Sequence, residues 1–274
     1  MKRILPLALM VASAGTLSAQ HELVKKWETD STLKVPESVL YDAGNKVLYV
    51  SNIDGAPDGR DGKGSIGKVG LDGKIIAVDW VTGLNAPKGM ALVKNTLWVS
   101  DLDEVAAIDI KTGQVTKRVK IEGAGFLNDV AADAKGIVYV SDSKTKKVHK
   151  IENDKATVVL ENLSGPNGLL VYKKDLYVLD NGTFNKVSKD NKLEQLASGL
   201  EGHTDGLENV QGDEFLVSGW EGVIYYVKAD GTKHKLIDTR EQKINSADIG
   251  YDAKNKIVYV PTFFKNSVVA YQLQ

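Results

Sequence analysis

Six short segments hold the residues of this chain whose types and spacing are suited to joint chemistry. They read Pro36-Glu37-Ser38, Pro87-Lys88-Gly89, Leu127-Asn128-Asp129, Pro166-Asn167-Gly168, Thr204-Asp205-Gly206 and Ser246-Ala247-Asp248. The middle residues lie 13, 11, 12, 11, 12 and 13 positions before a valine at the centre of a recurring apolar run. Glu37 and Asp205 offer carboxylates, Asn128 and Asn167 offer amide oxygens, and Lys88 offers a cation. Hard divalent cations such as Ca2+, Mg2+ or Mn2+ prefer all-oxygen sets of this kind. Two carboxylates neutralise one divalent ion, whereas burying them with no cation is costly. A single Asx residue in such a loop usually just caps the turn. Four oxygen-bearing residues in one register on four separate segments point instead to a metal site.

That register needs a repeating fold to become a site. The valines are Val50, Val99, Val140, Val178, Val217 and Val260, at intervals of 49, 41, 38, 39 and 43 residues. Each sits in a run such as Leu48-Tyr49-Val50-Ser51-Asn52 or Leu97-Trp98-Val99-Ser100-Asp101. These β-branched and aromatic runs favour strands, and Asp-Gly and Asn-rich turn signals separate them. A period near 40 built from short strands predicts propeller blades. The fold expected is all-β: one six-bladed β-propeller of four-stranded antiparallel blades over residues 20–274. The third blade reads as strands Asp129 to Ala132, Ile137 to Ser141, Lys147 to Glu152 and Thr157 to Glu161. The last blade has only three strands before Gln274, so its outer strand is expected from Glu22 to Thr29. Pairing the chain ends in this way closes the ring and hides the sheet edges. Innermost strands surround the axial channel, so the six motif residues converge on it.

Other residues fall around that centre. His203 precedes Asp205 by two positions, and Trp220 and Glu221 follow the central strand of the same blade, so they are expected at the pocket mouth. His149 and His234 lie among lysines and read as surface residues. Trp27, Trp80 and Trp98 are expected to pack between blades, and Asp101, Asp142 and Asp180 to cap strand ends or turns. The first blade carries an insertion, Asp54 to Gly64, read as a surface loop able to overhang the channel. There is no cysteine, which excludes thiolate chemistry and disulfides. No histidine pair has zinc-ligand spacing, and no serine sits in a Gly-x-Ser-x-Gly elbow.

The net charge is −1 and the lysines are interspersed with acids, so a nucleic-acid partner is not expected. Lys2 and Arg3, the apolar stretch Ile4 to Leu17, and a small residue at Ala19 have the form of a signal peptide, residues 1–19. The expected location is therefore periplasmic or secreted. The apolar stretch is 14 residues, short of the roughly 20 that span a bilayer. A membrane partner is not expected, and a monomer acting on a small molecule is.

With these motifs in order, the chain resembles the senescence marker protein, gluconolactonase and luciferin-regenerating enzyme family. The resemblance rests on Pro166-Asn167-Gly168-Leu169, Thr204-Asp205-Gly206-Leu207, Phe126-Leu127-Asn128-Asp129 and the acidic Pro36-Glu37-Ser38-Val39-Leu40-Tyr41-Asp42, and extends from Leu33 to Leu273. It implies one divalent cation, Ca2+ before Mg2+, Mn2+ or Zn2+, held by Glu37, Asn167 and Asp205. It further implies Asp205 as general base and Asn128 beside the substrate, with hydrolysis of a lactone as the reaction. Two departures concern the substrate. The family's sugar lactonases commonly carry Arg where this chain has Phe126, and Gly-Pro where it has Ser38-Val39. Lys88 is positioned to replace the missing charge, and a Lys88→Ala variant that kept full affinity for acidic ligands would remove that role. The alternative reading is a non-catalytic propeller that binds a small molecule or protein, with any ion purely structural.

Overall fold

The apolar runs around the six valines each become the second strand of a four-stranded antiparallel sheet, and the six sheets stand around one axis in a computed structural model that describes residues 21–274. The proposed leader, residues 1–19, lies outside the described residues. Five blades run in simple order from the inner to the outer strand. The first, for example, is Pro36–Asp42, Val47–Asn52, Gly64–Gly70 and Ile75–Leu84. The sixth has Gly250–Asp252, Ile257–Pro261 and Val268–Leu273, and Leu23–Glu28 supplies its outer strand, antiparallel to Val268–Leu273. The ring is thus closed by the two ends of the chain, as the strand count requires. In the third blade the strands are Leu127–Ala132, Val138–Asp142, Lys147–Glu152 and Lys155–Leu160, within two residues of expectation at each end.

The six central valines are all buried, and the apolar faces of neighbouring sheets pack on one another in separate clusters. Trp80 joins the cluster between blades one and two, where its ring centroid lies 5.3 Å from that of Tyr49. Trp27, on the closing strand, donates its indole N–H to the Leu71 carbonyl at 3.0 Å. The closing strand therefore completes the ladder of the sixth blade and ties it to the first through the Trp27 side chain. At the axis, a parallel bridge joins Ser38 to Asp248, with Asp248 N–H donating to Glu37 O at 2.9 Å.

Near the axis the inner strands crowd together, which explains the glycines of the motifs. A Cβ on Gly168 would lie 2.1 Å from Asp205 O, and one on Gly206 would lie 2.5 Å from Ile249 N. Both contacts are with backbone, which has no easy way to yield. Among the described residues no helix is long and apolar enough to cross a membrane. The one helical turn among the described residues is the 3-10 turn Phe263–Lys265.

Candidate functional site

The motifs reach the channel because the ladder slips there. The pairing of inner with second strand is interrupted between Pro36 and Ser38, Pro87 and Met90, Leu127 and Val130, Pro166 and Leu169, and Thr204 and Leu207. Such bulges leave a residue unpaired and re-aim its side chain. In all five blades the middle residue of the motif falls within the interruption, alone in the first blade and together with the residue after it in the other four. In blades two, three and four the loop leading into the motif is fixed from the same blade. Asp101 accepts from the N–H groups of Asn85 and Ala86, Asp142 from Gly125 and Phe126, and Asp180 from Ser164 and Gly165. These aspartates end the second strands, as expected, and they hold site loops without lining the cavity.

The inner strands bring Glu37, Lys88, Asn128, Asn167 and Asp205 onto the wall of one cavity of about 230 Å3, and His203 and Trp220 line the same cavity from the fifth blade. Ala247, the apolar sixth member of the register, is fully buried beside it in a small cluster with Ile53 and Phe263. Glu37 and Asp205 are 6% and 3% exposed. Burial raises the carboxyl pKa of Glu37 well above its usual range. The Asp205 charge adds to this, and Lys88 opposes it. Asp205 is likewise held well above normal by burial and then by Asp248, against the hydrogen bond from Asn167. That bond runs from Asn167 Nδ2 to Asp205 Oδ1 at 2.8 Å.

Lys88 is 1% exposed. Its ammonium donates to the carbonyls of Pro57 at 2.8 Å and Ala86 at 2.9 Å, and stands 4.4 Å from the Phe126 ring centroid. Desolvation lowers its pKa, while Glu37, Asp101 and Asp58 act to raise it. Phe126 thus serves as an aromatic face for a cation from the neighbouring blade. Pro57 belongs to the first-blade insertion, so that loop reaches the cavity and is pinned to it. Arg60 pairs with Asp103 at 3.0 Å and anchors its far side.

Two buried oxygens on cavity residues, Glu37 Oε2 and Asn167 Oδ1, have no hydrogen-bond partner. Orphaned buried acceptors are costly, and oxygen acceptors of this kind are what a hard cation takes as ligands. Asn128 donates from Nδ2 to Ser143 Oγ at 3.2 Å, which holds its amide in place. Among the described residues no three His, Cys, Asp or Glu side chains cluster as a metal site. The oxygen set here is two carboxylates with two amides, so it lies outside that pattern. The donors fit a hard divalent cation. The nearby Lys88 charge works against it.

A second cavity of about 170 Å3 lies deeper along the inner strands, lined among others by Ser38, Asp129, Glu208 and Asp248. Three of the six carboxylate oxygens of Asp129, Glu208 and Asp248 accept hydrogen bonds. Asp129 accepts from the N–H groups of Leu169 and Val130 at 2.6 Å each, and Asp248 from Ser38 Oγ at 2.5 Å. Burial pushes the Asp248 carboxyl up to about 7, and burial with the Asp248 charge pushes Glu208 up to about 8.

Sequence reasoning missed part of the wall. Ile53 and Phe263 line the cavity beside Pro57 of the insertion expected to overhang it, and these two obey a register of their own. The residues three places after the central valines are Ile53, Leu102, Ser143, Asn181, Trp220 and Phe263. The periodicity that finds Trp220 finds Ile53 and Phe263 as well. His149 corrects a second expectation. It is 5% exposed, its Nε2 has no partner, and burial lowers its pKa. Its strand neighbours are lysines, but its own side chain faces inward.

No family model matches the chain, and no curated protein matches it as a relative. Solved structures do match. A structural-genomics target described as a candidate gluconolactonase aligns at 15% identity over 93% of each chain, with a TM-score of 0.69. A catalytically inactive histidine-to-alanine variant of virginiamycin B lyase from Staphylococcus aureus, with quinupristin, aligns at 12% identity over 93% of this chain and 99% of that one, with a TM-score of 0.65. A Bacteroides thetaiotaomicron protein of unknown function aligns at 15% identity over 87% of this chain and 70% of that one, with a TM-score of 0.66. The chain shares their propeller fold. At these identities the likeness describes architecture, and function has to be argued from the propeller's own cavity.

Proposed function

We propose that the axial cavity holds one divalent cation, Ca2+ foremost, and opens a lactone or related cyclic ester. The observation that carries this reading is the pair of orphaned oxygens, Glu37 Oε2 and Asn167 Oδ1, beside the buried Asp205 carboxyl. Glu37, Asn167 and Asp205 are the ligands. When bound, the cation supplies the Lewis acidity that polarises an ester carbonyl.

The chain's own residues do the rest. Asn167 fixes one oxygen of Asp205 and leaves the other to accept a proton from the attacking water, the role of a general base. Water's hydroxyl adds to the acyl carbon, the acyl C–O bond breaks, and the ring oxygen takes the proton, giving a hydroxy acid. Lys88 presents a positive charge to the negative charge that develops on the carbonyl oxygen. Asn128, held by Ser143, contacts the substrate, and His203 and Trp220 border it at the mouth. His203 Nδ1 lies 2.7 Å from Glu221 Oε1, which sets the orientation of its ring.

A second reading is favoured by Lys88. A fixed ammonium that opposes the raised pKa of Glu37 is a countercharge already built into the wall. The cavity then binds a small ligand without turnover and without a cation. A thermal melt after chelation, with Ca2+ added back, separates the two. A rise in Tm that is lost in Asp205→Asn, together with Ca2+-dependent lactone hydrolysis, supports the hydrolase. The absence of a shift with any divalent ion transfers the assignment to the binding propeller.

A further inference from the structure

The ring three places after the central valines is lopsided, and its lopsidedness bears on what the cavity accepts. Its members on blades five, six, one and two are Trp220, Phe263, Ile53 and Leu102, all apolar, while blades three and four contribute Ser143 and Asn181. The polar groups of the cavity therefore face an apolar wall. Phe126, in place of a charged residue, extends that wall across blade three.

The apolar wall continues outward. Trp220 lines the axial cavity on one side and a surface pocket of about 410 Å3 on the other, together with Phe264, Glu221, Arg240, Lys243 and Asn245, whose amide donates to the Trp220 carbonyl. Phe263 and Phe264 meet edge to face at 4.7 Å, and Trp220 meets them at 5.5 and 6.2 Å. Phe264 is 61% exposed, against 3% for Phe263. An aromatic ledge thus leads from the ester-binding floor to the outside. The charges around it are mostly spent within the protein. Arg240 is engaged by Asp238 and Glu201, and Glu221 by His203. Lys243 is the rim cation without an ion pair among the described residues.

From this continuity we infer that the substrate is an amphiphile: a lactone whose ring sits over Glu37, Asn167 and Asp205 and whose uncharged apolar arm lies along Trp220 and Phe264. The inference rests on the hydrolase reading and narrows it, setting polyhydroxylated sugar lactones aside. A hydroxyl-rich arm would leave its hydroxyls unpaired against this wall, whereas an alkyl arm removes apolar surface from water on both sides of the contact.

The test is a series of γ-lactones with alkyl arms from methyl to octyl, assayed with Ca2+ on the full chain. The expected result is a rise in kcat/KM of about fourfold per methylene until the ledge is covered. Phe264→Ala should flatten that rise and lose about tenfold on the octyl lactone, with the methyl lactone unchanged. Phe264 is largely exposed, so this variant is expected to fold, and the unchanged methyl rate checks that it has. A flat series in the parent protein, or a rise that survives Phe264→Ala, overturns the inference and leaves the hydrolase reading standing. A preference for an arm ending in a carboxylate, abolished by Lys243→Ala, overturns it in favour of an anionic tail. If no lactone is turned over, the hydrolase reading fails. Calorimetric binding of the same lactones then decides the arm, and affinity that does not grow with arm length overturns it.

Discussion

Asn167 donates from its amide nitrogen to Asp205 Oδ1 at 2.8 Å across two neighbouring blades, and its own amide oxygen is left buried and without a partner. The bond links the fourth and fifth inner strands at the axis and keeps two proposed ligands side by side. It also leaves the amide oxygen of Asn167 free to serve as a ligand.

Adding Ca2+ to chelated protein is therefore expected to stabilise the fold. At about 100 times the dissociation constant the gain is about 2.7 kcal/mol, which for a chain of this size is a Tm rise of about 5–10 °C. Asp205→Asn should abolish the rise while leaving the melt of the chelated protein unchanged or higher, because a buried acid has been removed. Scanning calorimetry with and without the ion reads both.

Lys88→Met removes an ammonium that donates to Pro57 and Ala86 and faces Phe126. The expected cost is about 1–3 kcal/mol. The same change removes a positive charge next to the proposed ligands, so Ca2+ affinity should rise several-fold even as the protein weakens. Isothermal titration distinguishes this from a simple loss. If affinity falls with stability, Lys88 supports the site mechanically and its charge has little part in it.

Gly168→Ala places a Cβ 2.1 Å from Asp205 O, whereas Gly165→Ala meets nothing nearer than 3.8 Å. The first is expected to cost about 3 kcal/mol or more by forcing two inner strands apart, with lactone turnover lost as Asp205 moves. The second should be silent in a denaturant melt.

Glu208 contributes a pH dependence that can be isolated. Burial and the Asp248 charge raise its carboxyl from 4.5 to about 8 in the folded protein. The folded state then binds more protons than the unfolded state between those values. Stability is highest below the lower value and falls as pH rises through the window. Glu208→Gln should flatten that fall and leave the variant more stable than the parent at pH near 8, by about 1–3 kcal/mol. Urea midpoints measured across the window test this, and parallel curves for the two proteins would refute it.

Much of this is legible in the amino-acid sequence. The valine period locates the blades, the fourth strand that the last blade lacks locates the closing strand at the N-terminal side, and the near-constant offset before each valine selects Glu37, Lys88, Asn128, Asn167 and Asp205. Those are local signals: strand propensity, turn residues and spacing along one chain. The same kind of signal, read three places after the valines, was available for Ile53 and Phe263 and went unread because apolar residues carry no obvious chemistry. His149 was misread for a different reason. Its neighbours in sequence point away from it, since alternate residues of a strand occupy opposite faces.

The sequence by itself determined the repeat, the identity of the residues at each axial position, and the need for the chain ends to meet. Only the tertiary structure decided how those residues stand to one another: that Asn167 spends its nitrogen on Asp205, that Lys88 is capped by a carbonyl from the first-blade insertion and by the Phe126 ring, and that the aromatic ledge opens beside Trp220. The reason is physical. Spacing along a chain fixes which residues share a register. Distances across a channel depend on bulges, on glycine-sized gaps between inner strands, and on six sheets closing into a ring, which are properties of blades packed together rather than of any one of them.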